Sequence, residues 1–358
     1  MINHYTIPFF IPHEGCPHRC IFCDQNRIVG REMISSEQVS SQIEEHLATI
    51  PEEDAEIEVG FFGGTFTGLS EHVQEMFLGA VRRYIDNGQV SGIRLSTRPD
   101  LVDEVILSFL KKRGVKCIEL GVQSMSDRVL LSSKRGHTSK DVERASRMII
   151  NRGMVLGHQM MLGLPDSTPE DEYFTAKRAR ELNASEVRIY PVVVIKGTEL
   201  ADMWKDKDYS PLTEEEAIKR SSYLILYFES NGIKVIRCGL HPSEGLVTGD
   251  ELLDGPFHEA FRLKVESRIF SFMLDEILNM KKEKLSRVLL NPKDEAAFFG
   301  FERKNMGKIE KISGSDRDFF KKDPDVPRGS FIVASKSDTY LLDRKKLAGK
   351  RLPEEFTG

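Results

Sequence analysis

The chain has 358 residues with a formal net charge of −5; 40% of the residues are hydrophobic and 30% are charged. This length allows one large domain, or a large domain and a small one, and the composition is that of an ordinary globular protein. The N-terminus lacks the basic segment and apolar run of a secretory signal, and no apolar run is long enough to cross a bilayer. We therefore expect a cytoplasmic protein that does not contact membranes.

The charges are unevenly distributed along the chain. Residues 281–358 contain 19 Lys and Arg against 13 Asp and Glu, whereas the rest of the chain contains 32 against 43. A basic segment on an acidic body suggests a polyanionic partner. A solvated surface of mixed sign is the alternative explanation.

The first two-thirds of the sequence alternates short apolar segments with segments of helical periodicity. The predicted strands span residues 6–11, 56–62, 93–96, 115–122, 154–162, 187–195 and 234–238. The predicted helices span residues 36–49 (with Ser36 as the N-cap), 71–85, 104–112, 140–152, 169–182 and 214–231. This repeat predicts an α/β fold, a full or partial (β/α)6 barrel of parallel strands with helices outside. In such barrels the functional residues lie in the loops that follow the carboxyl ends of the strands.

The pattern changes after this repeat. Residues 239–255 are rich in turn-forming residues, and residues 257–278 have the periodicity of one long helix. A small α/β unit follows, with predicted strands at residues 287–290, 331–334 and 340–342 and a predicted helix at residues 293–312. We therefore predict a core domain at residues 1–240 and a C-terminal extension at residues 241–358.

Three of the five cysteines lie in the loop after the first predicted strand. Cys16, Cys20 and Cys23 have the spacing Cys-x3-Cys-x2-Cys, and Cys117 and Cys238 stand alone. An odd number of cysteines without an export signal argues against a disulfide framework, and thiolates are soft ligands that suit iron–sulfur clusters or zinc. Three thiolates would leave one iron of a 4Fe-4S cluster free to bind a small molecule.

A structural zinc site is the alternative reading of this loop. Such sites have four ligands, and His13 or His18 could supply the fourth. The isolated Cys117 and Cys238 lie in apolar predicted strands, where a thiol packs as a small hydrophobic group.

The cysteine spacing after a first strand resembles the signature of the radical S-adenosylmethionine (SAM) superfamily. The second predicted strand is followed by Gly63, Gly64 and Thr65, which resemble the Gly-Gly-Glu motif of that superfamily with Thr in place of Glu. The resemblance implies a 4Fe-4S cluster on the three cysteines, and SAM with its methionine amino group at the backbone carbonyls of residues 63–65. Glycines allow such an approach because they have no Cβ.

Further runs within residues 7–236 resemble the radical SAM core of the Elongator catalytic subunit and, less closely, oxygen-independent coproporphyrinogen oxidase. These runs are Ser-Thr-Arg-Pro-Asp at 96–100, Gly-Val-Gln-Ser at 121–124, Lys-Arg-Gly-His-Thr at 134–138, Met-Met-Leu-Gly-Leu-Pro at 160–165, Ile-Tyr-Pro at 189–191 and Ile-Lys-Gly-Thr-Glu-Leu at 195–200. The Elongator protein continues into an acetyltransferase domain. No Gly-rich acetyl-CoA loop is found in this sequence, so the resemblance does not imply acetyl transfer.

The resemblance also implies cofactor contacts. Gln123 and Arg135 match positions that contact the ribose or the carboxylate of SAM in the coproporphyrinogen oxidase type. Gln159 stands where a polar or acidic residue contacts the ribose there, whereas the Elongator-like proteins usually have His at this place.

Three other polar residues are candidates for the same site. Arg98 could bind a carboxylate through two hydrogen bonds, either on the cofactor or on Asp100 or Glu119. Tyr190 could donate a hydrogen atom or a hydrogen bond near the reacting carbon, and Lys196 could hold the cofactor or an anionic substrate. The alternatives are a core position for Tyr190 and a solvated ammonium for Lys196.

The resemblance implies that a reduced cluster cleaves SAM to a 5′-deoxyadenosyl radical, which abstracts hydrogen from a substrate. We expect flavodoxin or ferredoxin as the electron donor. A nucleobase of RNA, such as tRNA, is the first hypothesis for the substrate. The alternatives are a coproporphyrinogen oxidase-like reaction on a small molecule and a non-catalytic metal-binding interaction protein.

Overall fold

The computed structural model describes residues 3–11, 15–24, 34–51, 55–279, 285–313, 319–335 and 338–347. Contacts divide the chain into two compact units: residues 1–211 with 241–255 form unit 1, and residues 212–240 with 256–358 form unit 2. The predicted helix at 214–231 and strand at 234–238, which we placed in the core domain, fall in unit 2 by this division. The domain boundary at residue 240 stays a prediction.

Unit 1 is built on six parallel strands that pair in chain order. With numbering that runs along the whole chain, these strands are β1 (Asn3–Ile11), β2 (Ala55–Gly63), β3 (Gly92–Thr97), β4 (Val115–Gln123), β5 (Val155–Leu162) and β6 (Glu186–Pro191). A two-stranded antiparallel ribbon of β7 (Val194–Ile195) and β9 (Leu252–Asp254) completes the strands of this unit.

Five helices of unit 1 correspond to those predicted from the sequence, whereas three short helices, at residues 127–132, 199–205 and 244–247, were not predicted. The helices of this unit are α1 (Ser36–Leu47), α2 (Glu71–Asp86), α3 (Glu104–Lys112), α4 (Asp127–Ser132), α5 (Ser139–Asn151), α6 (Pro169–Glu181), α7 (Glu199–Lys205) and α9 (Glu244–Val247). Helix α1 is capped by Ser35 rather than Ser36, because the Ser35 hydroxyl accepts from the Gln38 amide while the Gln38 side chain accepts from the Ser35 amide, a capping box.

The sheet of unit 1 is curled into a partial barrel. Side chains stand roughly perpendicular to a sheet, and neighbouring strands are about 4.8 Å apart, so side chains three strands apart meet only when the sheet curls. The Arg94 guanidinium on β3 lies 3.1 Å from the Glu186 carboxylate on β6. The predicted α/β fold with a parallel (β/α) barrel is therefore confirmed, in its partial form.

The long β-branched segment predicted as one strand at 187–195 is two strands. Strand β6 ends at Pro191, and β7 then pairs with β9 rather than with the main sheet. A run of β-branched residues indicates extended backbone, but it does not show where the chain changes its pairing partner.

Unit 2 contains helices α8 (Glu214–Ser230), α10 (Phe261–Asn279), α11 (Glu295–Phe299) and α12 (Met306–Ser313), and strand β8 (Lys234–Cys238). It also contains a four-stranded sheet in the order β11 (Phe320–Lys322), β10 (Arg287–Leu290), β12 (Ser330–Ala334) and β13 (Thr339–Asp343). Aromatic rings fill its core: the Phe298 ring centroid lies 5.9 Å from that of Phe270 and 5.3 Å from that of Phe331. The small C-terminal α/β unit predicted from the sequence is thus present.

The prediction of a single helix at residues 293–312 is wrong. Gly300 has φ of 85° and Glu302 has φ of 54°, so the backbone leaves the right-handed helical region between α11 and α12. Residues with positive φ interrupt a helix.

None of the helices described is both long and apolar enough to cross a membrane.

Three phenylalanines join β2 of unit 1 to α2. The rings of Phe61, Phe66 and Phe77 are fully buried, with centroids 5.3 Å apart between Phe61 and Phe77 and 5.5 Å apart between Phe61 and Phe66. These contacts hold α2 against the strand that leads into Gly63 and Gly64.

Removing one of these rings should destabilise unit 1. We expect Phe77→Ala to lower the free energy of unfolding by about 3–5 kcal/mol, because it removes apolar burial and leaves a cavity. The matched control is Phe174→Ala, whose ring is 46% exposed and whose removal should cost less than about 1.5 kcal/mol. Urea unfolding followed by circular dichroism measures both, and equal decreases in stability would contradict this account of the core.

Candidate active site

The polar loops of unit 1 gather at one edge of the curled sheet. The cysteine loop follows β1, Gly63 ends β2, Arg98 follows β3 and Gln123 ends β4. The carboxyl ends of parallel strands share one edge of a sheet, which is where barrels of this class carry their functional residues.

The cysteine loop is described from residue 15 to residue 24, so His13, the alternative zinc ligand, lies outside the described residues. Cys20 is buried, and Cys16 and Cys23 are half-buried, with all three thiols free of disulfides. The Cys23 amide donates to the Cys20 carbonyl at 3.0 Å, and the Cys16 thiol donates to the His18 carbonyl at 3.4 Å. The loop therefore makes a tight turn between Cys20 and Cys23.

Two backbone hydrogen bonds and an apolar cluster anchor this loop. The Ile21 amide donates to the Ser133 carbonyl at 3.3 Å, and the Ile21 carbonyl accepts from the Leu200 amide at 2.8 Å. The Ile21 side chain is buried in an apolar cluster against which Phe22 packs. The apolar residues between Cys20 and Cys23 thus attach the loop to the end of α4 and to the first turn of α7.

A close backbone contact fixes the start of the loop. A Cβ placed on Gly68 would lie 1.9 Å from the Gly15 carbonyl oxygen, and a Cβ on Gly15 would lie 2.4 Å from the Gly68 carbonyl carbon. No side chain fits at either position, so the two glycines let the cysteine loop lie directly on the loop after β2.

The Gly-Gly-Thr motif lies beside the cysteine loop. Gly63 pairs with Ile11 at the end of β1 and has φ of 101°, and the Gly64 amide donates to the Ile11 carbonyl at 3.2 Å. Thr65 is buried at the start of the short helical turn Phe66–Gly68. The positive φ at Gly63, which glycine adopts without a steric penalty, turns the chain sharply at the strand end.

Arg98, Gln123 and Arg135 come together near Cys20. Arg98 binds Asp100 through two hydrogen bonds and donates to the Arg135 carbonyl, while Arg135 donates to the Cys20 sulfur and to the Gly121 carbonyl. Gln123 has a left-handed backbone, with φ of 64°, next to these groups.

Several buried polar atoms in this group have no hydrogen-bond partner among the described residues. They are the Nη1 of Arg98, the Oε1 of Gln123, the Nε of Arg135 and the Nδ1 of His137. Buried polar atoms are nearly always paired, so atoms left unpaired together indicate a polar ligand or ordered water.

His137 is a member of this group that we did not single out. Burial, reinforced by the charges of Arg135 and Arg98, lowers the pKa of His137 to about 2, so its imidazole is neutral. The sequence signal was its place in the run 134–138, two residues after Arg135.

The concave face of the sheet carries a network of buried charges that the sequence analysis did not predict. The Arg94 guanidinium lies 2.8 Å from Glu58 and 3.0 Å from Glu119, besides its contact with Glu186. Arg188 also pairs with Glu119. Charged residues inside otherwise apolar strands were the signal for this network.

Glu119 shows how the network controls ionisation. Burial raises the pKa of this carboxyl, but hydrogen bonding and charge from Arg188, with a smaller contribution from Arg94, bring it below its usual value. Gln159 donates to the same carboxylate at 3.1 Å. In the structure Gln159 therefore belongs to the interior network, and its predicted ribose contact stays a prediction.

The two residues predicted as catalytic have different surroundings. Tyr190 is half-buried on β6, and Lys196 is exposed after β7, where its ammonium donates to the Asp250 carbonyl and its amide to the Glu251 carbonyl. These contacts tie Lys196 to the segment before β9. The catalytic roles of both residues stay predictions.

The donor set suits an iron–sulfur cluster and a polar small molecule. Among the described residues, no three His, Cys, Asp or Glu side chains form a ready-made group of metal ligands, so the assembly of the three thiols stays a prediction. Thiolates are the ligands that iron–sulfur clusters take. Arg135, which contacts Cys20, and Gln123 each keep a buried polar atom without a partner among the described residues, which leaves hydrogen-bonding capacity for a polar ligand.

Comparisons with known proteins identify the family of this chain and its relatives. The model of the radical SAM superfamily matches residues 10–179, and that of the radical SAM C-terminal domain matches residues 184–270. The tRNA uridine(34) acetyltransferase of Methanocaldococcus jannaschii is 30% identical over 59% of this chain and 46% of its own length. Elongator complex protein 3 of Schizosaccharomyces pombe is 27% identical over 53% of this chain and 39% of its own length.

A solved structure shares the fold. The archaeal Elp3 of Methanocaldococcus infernus with an N-terminal deletion matches with a TM-score of 0.58 and 23% identity, over 78% of this chain and 64% of that one. The chain spans less than half the length of the two curated relatives named above. The two family matches agree with the shared fold and with the resemblance to the Elongator-type radical SAM core. This chain belongs to the radical SAM superfamily.

Proposed function

We propose that this chain is a radical SAM enzyme in which Cys16, Cys20 and Cys23 hold a 4Fe-4S cluster. The observation that carries the proposal is the contact of Arg135 with Cys20 Sγ and with the Gly121 carbonyl near Gln123, where buried polar atoms of Arg135 and Gln123 lack partners among the described residues. Family membership supports the same chemistry.

When bound, the cluster and SAM would supply a 5′-deoxyadenosyl radical that abstracts hydrogen from the substrate. The chain supplies binding, orientation and exclusion of water. The backbone of residues 63–65 would meet the methionine amino group, and Gln123 Oε1 and Arg135 Nε have free hydrogen-bonding capacity for the polar groups of the cofactor. Ile21 and Phe22 seat the cysteine loop on apolar side chains, which limits access of water to it.

The substrate that we propose is a nucleobase of RNA, with tRNA as the first candidate. Two relatives bear names that refer to tRNA uridine(34) or to Elongator, and residues 281–358 are basic. The proposal covers the radical step alone, because the chain spans less than half of these relatives. A flavodoxin or ferredoxin would donate the electron.

Removal of one cluster ligand should abolish the activity. We expect Cys20→Ala to lose the brown colour and the cleavage of SAM to 5′-deoxyadenosine and methionine, because two thiolates would hold the cluster poorly. Cys117→Ala is the matched control: burial raises the pKa of that thiol, which packs inside β4 as a neutral group.

The measurement is anaerobic reconstitution, iron and sulfide analysis, and product analysis after addition of dithionite and SAM. Bound zinc without iron would favour the structural zinc site, and iron without SAM cleavage would favour a metal-binding interaction protein. Either result would refute the proposed reaction.

The contact between Gly15 and Gly68 should be necessary for cluster assembly. We expect Gly68→Ala to reduce the iron bound per chain several-fold, because its methyl group would displace the Gly15 carbonyl at the start of the cysteine loop. Gly79→Ala on α2 is the control, since no atom lies within 4 Å of the added Cβ and Ala favours a helix. Equal iron content in both variants would show that the contact is dispensable.

Binding of tRNA should depend on basic residues of unit 2. We expect Lys345→Glu with Lys346→Glu to weaken tRNA binding and to make it less sensitive to salt, because fewer counterions are released when fewer phosphates are neutralised. The control pair is Lys112→Glu with Lys140→Glu, also exposed lysines but on unit 1. Mobility shifts with bulk tRNA at several salt concentrations measure this, and equal weakening by both pairs would indicate non-specific attraction. No tRNA affinity would favour a small-molecule substrate.

A further inference from the structure

We infer that Arg135, positioned by Arg98 and Asp100, raises the reduction potential of the cluster that Cys20 helps to hold. The inference rests on the proposed function, because it requires the cluster. It gives Arg135 a second task besides the predicted contact with SAM, and it makes Arg98 a positioning residue rather than a cofactor ligand.

The guanidinium of Arg135 is held in a fixed orientation against the cysteine sulfur. Its Nη1 lies 3.3 Å from Cys20 Sγ, and its Nη2 donates to the Gly121 carbonyl at 2.8 Å. Its backbone amide donates to the Leu130 carbonyl at 2.9 Å. Arg135 is 8% exposed and Cys20 is 6% exposed, so water competes little for this N–H···S contact.

Arg98 acts on this contact through the backbone. Its Nη2 donates to the Arg135 carbonyl at 2.7 Å, and its Nε and Nη2 donate to the two Asp100 oxygens at 3.0 and 3.2 Å. With 1% exposure, Arg98 is among the largest fully buried side chains described. The side chain therefore connects Asp100 to the residue that contacts the cysteine sulfur.

The charges in direct contact do not balance. Two buried guanidiniums, Arg98 and Arg135, face one carboxylate, Asp100. The neighbouring His137 is neutral, so it adds no further positive charge to this group. The excess positive charge lies beside Cys20, where a cluster that gains one electron becomes more negative.

Both the hydrogen bond and the excess charge favour the reduced cluster. Hydrogen bonds to the sulfurs and the local net charge are among the protein's controls of the potential of iron–sulfur clusters. A charge acts strongly at short range where water is excluded. Removal of Arg135 should thus lower the potential, whereas removal of the Asp100 charge should raise it.

The test is an anaerobic redox titration of the reconstituted full chain, followed by electron paramagnetic resonance, without SAM. Omitting SAM removes any effect of the predicted carboxylate contact. We expect Arg135→Gln to shift the midpoint potential to more negative values and Asp100→Asn to shift it to more positive values. Arg135→Lys, which keeps the charge, should shift it less than Arg135→Gln. Arg128→Gln, an exposed arginine on α4 paired with Asp171, is the control and should leave the potential unchanged.

The inference is supported if the midpoint potentials of Arg135→Gln and Asp100→Asn shift in the two expected, opposite directions while both variants bind as much iron as the wild type. Unchanged potentials, or shifts of the same sign in both variants, overturn it. If Arg135→Gln binds no iron, the direction of the Asp100→Asn shift decides. A wild-type chain that takes up no iron under these conditions refutes the proposed function itself. A wild-type chain that binds the cluster, with a potential that does not change when Arg135 is replaced, refutes only the inference about Arg135.

Discussion

The pairing of buried charges on the concave face of the sheet of unit 1 is the constraint on which this unit depends. Arg94 on β3 contacts carboxylates from β2, β4 and β6, and Arg188 shares Glu119 with it. Breaking a buried ion pair leaves an uncompensated charge that costs about 3–5 kcal/mol. The curl that brings these strands together keeps the buried charges paired, and it also brings the carboxyl ends of the strands toward one another.

The curl alone does not position the cysteines. The loop is held by backbone contact at Gly15 and Gly68, by the hydrogen bonds of Ile21, and by apolar packing of the residues between the sulfurs. None of these contacts uses a sulfur atom. The protein therefore fixes the backbone around the thiols through contacts that do not involve the sulfur atoms.

The sequence predicted the parts of this protein that follow from local pattern. Alternating periodicities predicted the parallel α/β sheet, and the cysteine spacing predicted the family to which the chain belongs. It did not predict that the strand at 187–195 divides, because pairing partners are set by tertiary contact. It did not predict the Arg94 network either. A charged residue in an apolar segment suggests that the strand is interrupted there, unless its partners on distant strands are known. The prediction of one continuous helix at residues 293–312 was wrong because the backbone takes positive φ angles at Gly300 and Glu302. Helical periodicity of the sequence does not reveal such a turn.

Arg98 and Arg135 show the same limit at the site itself. A motif position indicates which residue type is present, but not which of its donors are already used. Arg98 has most of its hydrogen-bonding capacity occupied by Asp100 and the Arg135 carbonyl, which leaves Nη1 as its unpartnered donor nitrogen. Arg135 uses Nη1 and Nη2 inside the protein and keeps Nε free. A planar guanidinium presents its donors in different directions, so Arg135 can contact the cysteine sulfur on one side and a cofactor on another. The cofactor contact that the motif implies for Arg135 and the effect on the cluster potential that we infer from its contacts are therefore compatible.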